Sequence, residues 1–367
     1  MKILFISAAN NIHTERWVNS LSNRGHEVHL VYNKNHSPQI NKFSEKVILH
    51  ELKYSGSIGY YLNAPMLKKI HKKIKPDIVN AHYASGYGTL ARISGVAPLV
   101  LSVWGSDVYD FPYESNLKMK ILKRNLLYSD TIASTSNCMA RQTRRVLEDE
   151  NINIYVTPFG VDLEKFKNIR TEKDLSKFKF GIVKTLQSKY GIKYLIEAFK
   201  LVLEKINENK LDIYAELDIY GSGELESELK KLCRDLKIED KVLFKGYIHN
   251  DEVPKAINSM DVFCLSSILD SESFGVAAVE SMACEVPVIA TDVDGFKEVV
   301  VDGETGYIVK RCNSKDLADK MYNLMCDKKN IKSMGVQGRK RVKELYDWET
   351  NVTSMEKVYS DTIEKIR

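Results

Sequence analysis

Short apolar runs alternate with longer segments of helical periodicity along nearly the whole chain. Runs of strand length lie near residues 2–7, 27–32, 47–52, 77–81, 98–103, 130–134 and 153–157, and segments such as 14–23 and 136–147 repeat apolar residues at helical spacing. The pattern starts again after Pro158, with strands predicted near 178–183, 213–220, 241–245, 261–266, 286–290 and 306–309. This alternation predicts parallel sheets covered by helices on both faces.

The repetition of this pattern predicts two Rossmann-like domains that divide near Pro158. A chain of 367 residues is too long for one ordinary hydrophobic core, so two domains also fit its length. Sheets of this kind bind ligands at the carboxyl ends of their strands. Polar residues that follow the predicted strands are therefore the first candidates for a site.

The composition is that of a globular protein, with 44% hydrophobic and 28% charged residues. No apolar run reaches the length of a membrane span, and the first six residues are too short for a signal peptide core. The six cysteines include no C-x-x-C pair, which favours buried thiols over a zinc site or a disulfide framework. We therefore expect a cytosolic protein.

Positive charge is concentrated in the first part of the chain. Residues 1–165 contain 21 Lys and Arg against 14 Asp and Glu, a net charge of +7, which leaves −2 for the rest of a chain whose total is +5. The excess lies in two stretches, 68–75 and 118–124. A solvated helix face is the favoured interpretation. The alternative is contact with an anionic membrane or a phosphate-bearing acceptor, whereas no motif indicates nucleic acid.

The segment 265–284 carries the most chemical information. A buried strand is predicted to end near Ser266, and a polar loop leads to a helix that is predicted to begin near Phe274. Backbone amides at a helix start have no intrahelical acceptor, so those of Phe274, Gly275 and Val276 are expected to attract an anion. Gly275 would let a phosphate group approach the backbone closely.

Glu280 is the only charged residue in this otherwise apolar helix. A carboxylate in such surroundings is costly unless a partner pairs with it. A ribose diol would be a suitable partner, because its two hydroxyls can both donate to one carboxylate. A Glu at the edge of the buried face that reaches solvent explains the pattern equally well, and the residues alone leave both interpretations open.

Six motifs together resemble the retaining glycosyltransferases of family 4, which have the two-domain GT-B fold. Glu272 and Glu280 form an E-x7-E motif with Phe274 and Gly275 inside it. Further segments resemble family motifs in the family's order, and the resemblance covers nearly the whole chain. They are the cleft-facing loop 103–107, the interdomain segment 155–162, the G-x-G turn 218–223, the strand end 244–248 and the last strand 302–309.

This resemblance implies an α/β protein of the GT-B type, with two Rossmann-like, doubly wound parallel-sheet domains that face a cleft. The helical pattern from Trp348 to Ile366 is then expected to cross back to the N-terminal domain. The implied division is 1–157 together with 347–367 for the acceptor domain, and 158–346 for the nucleotide-sugar donor domain.

The resemblance also assigns roles at the donor site, with one departure. The family's usual diphosphate-binding Arg and Lys positions hold Thr185 and Tyr190 here, but Lys184 and Lys189 keep the same five-residue spacing one place earlier. We expect both lysines to stabilise the departing diphosphate, although two solvent lysines at a strand end remain the alternative. Glu272 would hold donor-sugar hydroxyls and Glu280 the ribose. The other implied donor-binding residues are Gly221, Gly223, Tyr247, Ile248, Phe274, Gly275 and Val276.

Several polar and aromatic residues follow strands of the N-terminal domain and are expected to face the acceptor. Asn10 and Asn11 can form a tight turn, since Asn tolerates left-handed conformations, and His13 could cap the first helix. Trp104 stands where many family members have His. Taken singly, these residues are more often structural, and the resemblance raises the expectation of an acceptor site. The predicted set is Asn10, Asn11, His13, His82, Trp104 and Asp107.

The function implied by the resemblance is transfer of a hexose-type sugar, with retention, from a nucleotide-diphosphate sugar to a glycan, lipid-linked or other glycoconjugate acceptor. Family frequency favours a UDP-sugar and a setting in polysaccharide assembly. The implied mechanism uses no cofactor and no metal, because two lysines would neutralise the leaving diphosphate. The alternatives are a non-catalytic nucleotide-sugar-binding subunit and another GT-B enzyme such as a sugar epimerase.

Overall fold

The chain divides into two compact units in the computed structural model, which describes residues 1–38, 42–170 and 177–366. The N-unit comprises Met1–Phe159 and Glu349–Arg367, and the C-unit comprises Gly160–Trp348. Each boundary lies two residues beyond the corresponding boundary implied by the family resemblance.

The described part of the N-unit contains a seven-stranded sheet in which all paired strands are parallel. Its strands are β1 (Lys2–Ile6), β2 (Glu27–Asn33), β3 (Ile48–Leu52), β4 (Ile78–His82), β5 (Leu99–Val103), β6 (Thr131–Ser134) and β7 (Ile154–Val156). Its helices before the boundary are α1 (Ile12–Asn23), α2 (Gly56–Leu62), α3 (Ala64–Ile74), α4 (Gly86–Ser94), α5 (Ser106–Tyr109), α6 (Asn116–Tyr128) and α7 (Asn137–Leu147). Short 3-10 helices lie at Lys34–His36 and Phe111–Glu114.

The described part of the C-unit repeats this architecture with a six-stranded parallel sheet. Its strands are β8 (Lys177–Val183), β9 (Tyr214–Tyr220), β10 (Val242–Gly246), β11 (Val262–Leu265), β12 (Val288–Thr291) and β13 (Gly306–Val309). Its helices are α8 (Ile192–Glu208), α9 (Glu226–Asp235), α10 (Val253–Asn258), α11 (Val276–Ala283), α12 (Asp294–Val299), α13 (Ser314–Cys326) and α14 (Lys328–Leu345). A 3-10 helix lies at Ser188–Tyr190, and α15 (Trp348–Ile366) ends the chain.

The central strands are apolar on both faces because helices cover both sides of each sheet. Residues Ile3 to Ile6 of β1 and all four residues of β11 are fully buried. Apolar residues on the sheet-facing sides of the covering helices are also fully buried. Examples are Leu195 and Phe199 on α8, which pack into the core of the C-unit. Continuous apolar runs of strand length are therefore the sequence signal for this architecture.

Both sheets have the strand order that creates a topological switch point. In the N-unit β1 lies between β2 and β4, and in the C-unit β8 lies between β9 and β11. The chain leaves these central strands toward opposite edges of the sheet, so a crevice opens at their carboxyl ends, where ligands bind in folds of this class. The loops after β1, β4, β8 and β11 therefore border the two candidate sites.

The last helix returns to the N-unit. From Glu349 onward α15 belongs to that unit, and its buried face carries Val352, Met355, Val358 and Tyr359. The Tyr359 hydroxyl donates a 2.9 Å hydrogen bond to Oδ1 of Asn80, which lies on β4. This helix is thus anchored directly beneath the switch point of the N-unit.

The two-domain α/β architecture expected from the sequence is confirmed. Each predicted strand is present, with both ends within two residues of the prediction. The helix predicted to begin near Phe274 begins at Val276 instead, which changes the amides at its start. In the described part of the chain, no helix combines the length and the apolar character needed to cross a bilayer.

Candidate active site

An ion pair lies at the switch point of the C-unit. Lys184 directly follows β8, and Glu272 lies in the loop that follows β11. The Lys184 Nζ donates to Glu272 Oε2 at 2.8 Å, and the two side chains are only 17% and 13% exposed. The aromatic ring of Tyr190 lies 4.6 Å from the same Nζ. Two residues predicted from the sequence to be catalytic are therefore in direct contact.

The charge of Lys184 is stabilised by its neighbours. Burial alone would lower the pKa of this ammonium group, but the nearby Glu272, Tyr190 and Glu280 outweigh that effect and raise the pKa above its usual value. Lys184 is therefore a cation throughout the physiological pH range. A raised pKa in a largely buried position suits a group that must meet an anionic ligand.

Lys189 reaches the same aromatic ring from the 3-10 helix Ser188–Tyr190. Its Nζ lies 4.8 Å from the centre of the Tyr190 ring, and its carbonyl accepts a 2.9 Å hydrogen bond from the amide of Ile268. That backbone bond ties the lysine segment to the loop after β11. The structure thus brings Lys184 and Lys189 to one ring, which sequence spacing alone did not indicate.

The start of α11 differs from the prediction. Gly275 is the N-cap residue with φ of 84°, and the helix begins at Val276. A Cβ at Gly275 would lie 2.7 Å from the ring of Phe296, so both conformation and space require glycine here. Phe274 precedes the helix, and its ring packs edge-on against Tyr346 at 5.5 Å. The first-turn amides of α11 therefore begin at Val276, not at Phe274.

Glu280 lies one helical turn after Val276 on α11 and is half-buried. Its charge is close enough to Lys184 to contribute to that residue's raised pKa. Lys184, Glu272 and Glu280 therefore form one electrostatic cluster, which we call the donor cluster. This contact disfavours the simpler interpretation of Glu280 as a helix-edge residue that only reaches solvent.

Gly221 and Gly223 support the backbone beneath the donor cluster. Gly221 has φ of 132°, and a Cβ there would lie 1.9 Å from the carbonyl oxygen of Lys184. A Cβ at Gly223 would lie 2.5 Å from the carbonyl oxygen of Leu186. The turn after β9 can pack against the Lys184 segment only because both positions lack side chains. Direct contact of these glycines with a donor stays a prediction.

Tyr247 and Ile248 line a cavity of about 300 Å³ beyond the carboxyl end of β10. Lys245 and Glu252 border the same cavity, and the Tyr247 side chain is largely exposed. The cavity combines an aromatic ring with cationic and anionic groups. Its place next to the turn after β9 fits the donor-binding role that the resemblance implies for Tyr247 and Ile248, which stays a prediction.

Arg311 was not among the residues predicted from the sequence, and its hydrogen bonds hold the loop after β11. Its Nε donates to Asp292 Oδ1 at 3.0 Å, and its Nη2 donates to Asp270 Oδ1 at 2.9 Å. Burial is the largest influence and raises the pKa of each carboxyl group, but the hydrogen bonds and charge of Arg311 together with backbone amides outweigh it, so both pKa values are lowered. The one sequence signal for this role is that Arg311 follows β13, so it lies at the carboxyl edge of the sheet.

In the N-unit, the loop after β1 is shaped by two asparagines. The amide of Asn11 donates to the carbonyl of Ala8 at 3.2 Å, and Asn11 Oδ1 accepts from the amide of His13 at 2.8 Å. Asn11, not His13, is therefore the N-cap of α1, and its φ of −102° is not left-handed. Asn10 is fixed by a 3.0 Å bond from its amide to the carbonyl of His36.

An aromatic cluster follows the strand ends of the N-unit. The His13 ring stacks on Phe159 at 4.1 Å, and the Trp104 ring meets Phe159 edge-on at 5.2 Å. His82, the last residue of β4, lies 4.6 Å from Trp104. The sequence-predicted residues His13, His82 and Trp104 are therefore in mutual contact, and Phe159 joins them without having been predicted.

Both histidines of this cluster are neutral at physiological pH. Burial is the main cause that lowers the pKa of His13 and of His82 to about 3. Because Asn80 Oδ1 can only accept, His82 donates to it from Nε2 at 2.9 Å, which leaves a lone pair on Nδ1. Among the described residues, Nδ1 of His82 and Nδ1 of His13 have no hydrogen-bond partner. Both atoms are also closed to solvent.

Asp107 has a positioning role. Its carboxylate accepts hydrogen bonds from the backbone amides of Ala84 at 2.8 Å, Trp104 at 3.1 Å and Gly105 at 2.8 Å, and the residue is fully buried. Burial raises its pKa while those amides act in the opposite direction. Asp107 was predicted from the sequence to face the acceptor, whereas in the structure its carboxylate holds the Trp104 loop through backbone amides.

Two family models account for most of the chain. The model described as Glycosyl transferase 4-like matches residues 2–136, and the model described as Glycosyl transferases group 1 matches residues 164–341. The first range contains His13, His82 and Trp104 of the aromatic cluster, and the second contains the donor cluster. The chain belongs to glycosyltransferase family 4.

Relatives and a solved structure extend over nearly the whole of this family 4 glycosyltransferase. It is 25% identical to the N-acetyl-alpha-D-glucosaminyl L-malate synthase of Bacillus anthracis over 94% of this chain and 91% of the relative. It is 29% identical to the capsular polysaccharide biosynthesis glycosyltransferase CapM of Staphylococcus aureus, over 85% of each chain. The crystal structure of Anabaena HepE in complex with UDP superposes with a TM-score of 0.79 at 16% identity, covering 98% of this chain and 100% of that one, which supports the GT-B fold.

In this glycosyltransferase, the residues 1–38, 42–170 and 177–366 contain no group of three or more His, Cys, Asp and Glu side chains that could hold a metal ion.

The lowered pKa of His82 predicts a specific pH dependence of stability. In the unfolded chain the imidazole has a pKa near 6.5, and in the folded protein near 3, so stability is complete above pH 6.5 and falls as the pH drops toward 3. His82→Gln should remove the contribution of this imidazole. Between pH 6 and pH 4, the unfolding free energy of the variant should therefore fall by about 1 kcal/mol less per pH unit than that of wild type. Urea unfolding at several pH values measures the slope.

The surface variant His71→Gln is the matched control and should keep the wild-type slope. Identical slopes for wild type and His82→Gln would contradict a buried neutral His82.

Proposed function

We propose that this glycosyltransferase transfers a hexose-type sugar from a UDP-sugar to a glycan, lipid-linked or other glycoconjugate acceptor, with retention of anomeric configuration and without a metal. The C-unit holds the donor, and the strand ends of the N-unit hold the acceptor. The setting is the assembly of a polysaccharide or related glycoconjugate.

The observation that carries the proposal is the donor cluster at the switch point of the C-unit. A charged Lys184 lies 2.8 Å from Glu272 and within electrostatic reach of Glu280, beside the first turn of α11. Buried ion pairs of this kind seldom add much stability, because desolvation offsets their attraction. A cluster with such a cost, at the point where this fold binds ligands, supports a functional role.

The cluster suits the departure of a nucleoside diphosphate. Negative charge grows on the leaving group as the glycosidic bond to it breaks, and cations held in place beforehand stabilise that charge. Lys184 supplies one such cation. Lys189, whose Nζ also lies close to the Tyr190 ring, supplies a second. The amides at the start of α11 add the positive end of a helix dipole. With these groups in place, the reaction needs no metal to neutralise the diphosphate.

The two glutamates bind different parts of the donor. Glu272 accepts hydrogen bonds from sugar hydroxyls and stabilises positive charge at the anomeric carbon. To do so it must share Lys184 with the incoming diphosphate, because the two side chains are paired directly in this structure. Glu280 holds the ribose hydroxyls one turn into α11.

The acceptor side is built for a neutral polyol. His13 and His82 have pKa values of about 3, so neither acts as an effective general base at neutral pH. Both rings instead pack against Trp104, which offers an aromatic ring to a sugar face. The departing diphosphate then takes the proton of the attacking hydroxyl, which enters on the face that the diphosphate leaves, so configuration is retained.

The similar proteins support the choice of donor and setting. HepE was crystallised with UDP, and CapM is named for capsular polysaccharide biosynthesis. Both match this chain over most of its length, including the part that contains the donor cluster. We therefore take a UDP-sugar as the donor and a surface glycan or its lipid-linked precursor as the acceptor.

Isothermal titration calorimetry with UDP, GDP and ADP, in excess EDTA, tests the donor site. Wild type should bind UDP and discriminate against the other two. Glu280→Ala should weaken UDP binding about tenfold to a hundredfold, because two hydrogen bonds from ribose to a charged group are lost. Glu304→Ala, which removes an exposed carboxylate of the same unit, should bind as wild type does. Absence of binding by all three nucleotides would refute the donor-site assignment.

The lysine pair is tested by comparing UDP with UMP. Lys184→Met and Lys189→Met should each weaken UDP binding about tenfold while changing UMP binding little, because the lost charge faces the distal phosphate. Lys193→Met, on the exposed face of α8, is the control and should change neither. If Lys189→Met behaves like Lys193→Met, Lys189 is a surface lysine and Lys184 acts alone.

Retention is tested with the transfer product. Proton NMR of a reaction with the UDP-sugar that binds should show the anomeric configuration of the donor in the first product formed. The inverted anomer would disprove the proposed geometry of attack. Conversion of the donor to another UDP-sugar without any acceptor would identify an epimerase, and tight binding without turnover would identify a non-catalytic subunit.

A further inference from the structure

One exposed segment of the N-unit contains lysines but no acidic residues. Between residues 53 and 75 the chain contains six lysines and no aspartate or glutamate. This segment comprises α2, α3 and the residues that flank them, and we call its exposed side chains the α2–α3 surface. The lysines are Lys53, Lys68, Lys69, Lys72, Lys73 and Lys75, and all are exposed.

Large apolar side chains are exposed beside these lysines. Ile58 is 64% exposed, Tyr61 46%, Leu62 48% and Met66 40%. Single exposed apolar residues are ordinary on protein surfaces, but four within nine residues form a patch. Such a patch needs a partner that is itself apolar.

The two kinds of side chain continue one helical stripe. Asn63 joins α2 to α3 in the right-handed helical region, with φ of −81° and ψ of −6°. The helical bonds from the amide of Asn63 to Gly59 and from the amide of Leu67 to Asn63 continue across the joint. Ile58, Leu62, Met66, Lys69 and Lys73 therefore follow one another at intervals of three or four residues on the solvent side. The first half of the stripe is apolar and the second half is cationic.

This projection is fixed to the body of the N-unit. The buried side chain of Asn63 donates to Asn33 Oδ1 at the end of β2 at 2.9 Å and accepts from the amide of Tyr54 at 3.0 Å. Leu67 is fully buried on the opposite face of α3. The stripe is thus held outward by a rigid support.

The lysines of this surface have no carboxylate partner in the described part of the chain, although the Nζ of Lys53 lies 5.5 Å from the ring of Tyr54. None of the six has a carboxylate oxygen within 4.0 Å among those residues. The second basic stretch found in the sequence behaves differently. On α6, Lys118 pairs with Glu114, and Lys123 pairs with Glu148 at 2.7 Å. The structure therefore separates a basic face that carboxylates neutralise in part from one without any such pair.

From this combination we propose that the α2–α3 surface docks on an anionic lipid bilayer. Unpaired lysines are attracted to acidic headgroups, and apolar side chains ahead of them on the same stripe enter the region below those headgroups. A soluble polyanion would satisfy the lysines but leave Ile58, Leu62 and Met66 in water. The bilayer is thus the partner that accounts for both halves of the stripe.

The inference goes beyond the proposed donor chemistry and does not depend on it. The stripe lies on the N-unit, while the donor cluster lies in the C-unit. Bilayer docking would bring a lipid-linked acceptor within reach of the enzyme by restricting it to the membrane surface. The vesicle experiment measures membrane binding by this surface alone, so a negative result would not contradict the proposed donor site.

The test is co-sedimentation of the full-length protein with lipid vesicles. We expect binding to vesicles of equimolar phosphatidylcholine and phosphatidylglycerol and no binding to phosphatidylcholine alone. The double variant Ile58→Asp with Leu62→Asp should weaken binding at least about tenfold, because the apolar contribution is lost. The matched control is Leu117→Asp with Leu127→Asp, which makes the same charge change at α6 residues that are 67% and 68% exposed. Its affinity should stay near that of wild type.

Two results of that experiment would overturn the proposal. One is absence of binding to the acidic vesicles. The other is equal weakening by both double variants, because this would mean that added negative charge acts anywhere on the N-unit. Circular dichroism confirms that the variants fold, and the four substituted side chains are exposed, so folding should be unaffected.

Insertion distinguishes the bilayer from a soluble polyanion. In Leu62→Trp, the added indole fluorescence, taken as the difference from wild type, should shift to shorter wavelength with acidic vesicles and stay unchanged with heparin. A shift with heparin alone, or no shift with vesicles that bind the protein, would refute insertion of the apolar half of the stripe.

Discussion

The candidate site of the C-unit is built around one contact, the ion pair between Lys184 and Glu272. It joins the end of β8 to the loop after β11, the two elements that border the switch point. Gly221 must lack a side chain for the backbone at Lys184 to lie where it does, and Arg311 holds the loop that carries Glu272 through two aspartates. Because an ion pair in such a position contributes little to stability, this amount of supporting structure is best understood as support for a binding site.

The two units use the same architecture for opposite chemistry. At the strand ends of the C-unit, charged side chains stabilise one another, and Lys184 has a raised pKa. At the strand ends of the N-unit, burial lowers the pKa of two histidines to about 3, and an aromatic cluster surrounds them. Charge suits a diphosphate, whereas neutral acceptors and aromatic rings suit sugar hydroxyls and sugar faces. One parallel-sheet frame thus supports both, because the loops and not the sheet carry the chemistry.

The surface of the N-unit shows how structure resolves two sequence patterns that look alike. Both basic stretches have lysines at helical spacing, and charge counts do not distinguish them. The partners of Lys118 and Lys123 on α6, Glu114 and Glu148, come from outside the stretch itself, and Glu148 lies 25 residues from Lys123. Neutralisation of a charged face is therefore a tertiary property, which is why only the structure shows that the lysines on and beside α3 have no carboxylate partner among the described residues.

Hydrophobic periodicity in the sequence determined the strands, their alternation with helices and hence the two parallel sheets, because these patterns are local and the central strands are buried on both faces. The motif around Glu272 and Glu280 predicted the candidate donor site for the same reason, since its residues are close along the chain. The tertiary structure alone decided which atoms meet there: Lys184 with Glu272, Arg311 with two distant aspartates, and Asp107 with backbone amides instead of a ligand. It also placed the start of α11 at Val276, because Gly275 packs closely against Phe296, a residue of α12. Contacts between residues far apart in sequence follow from packing and not from any local pattern.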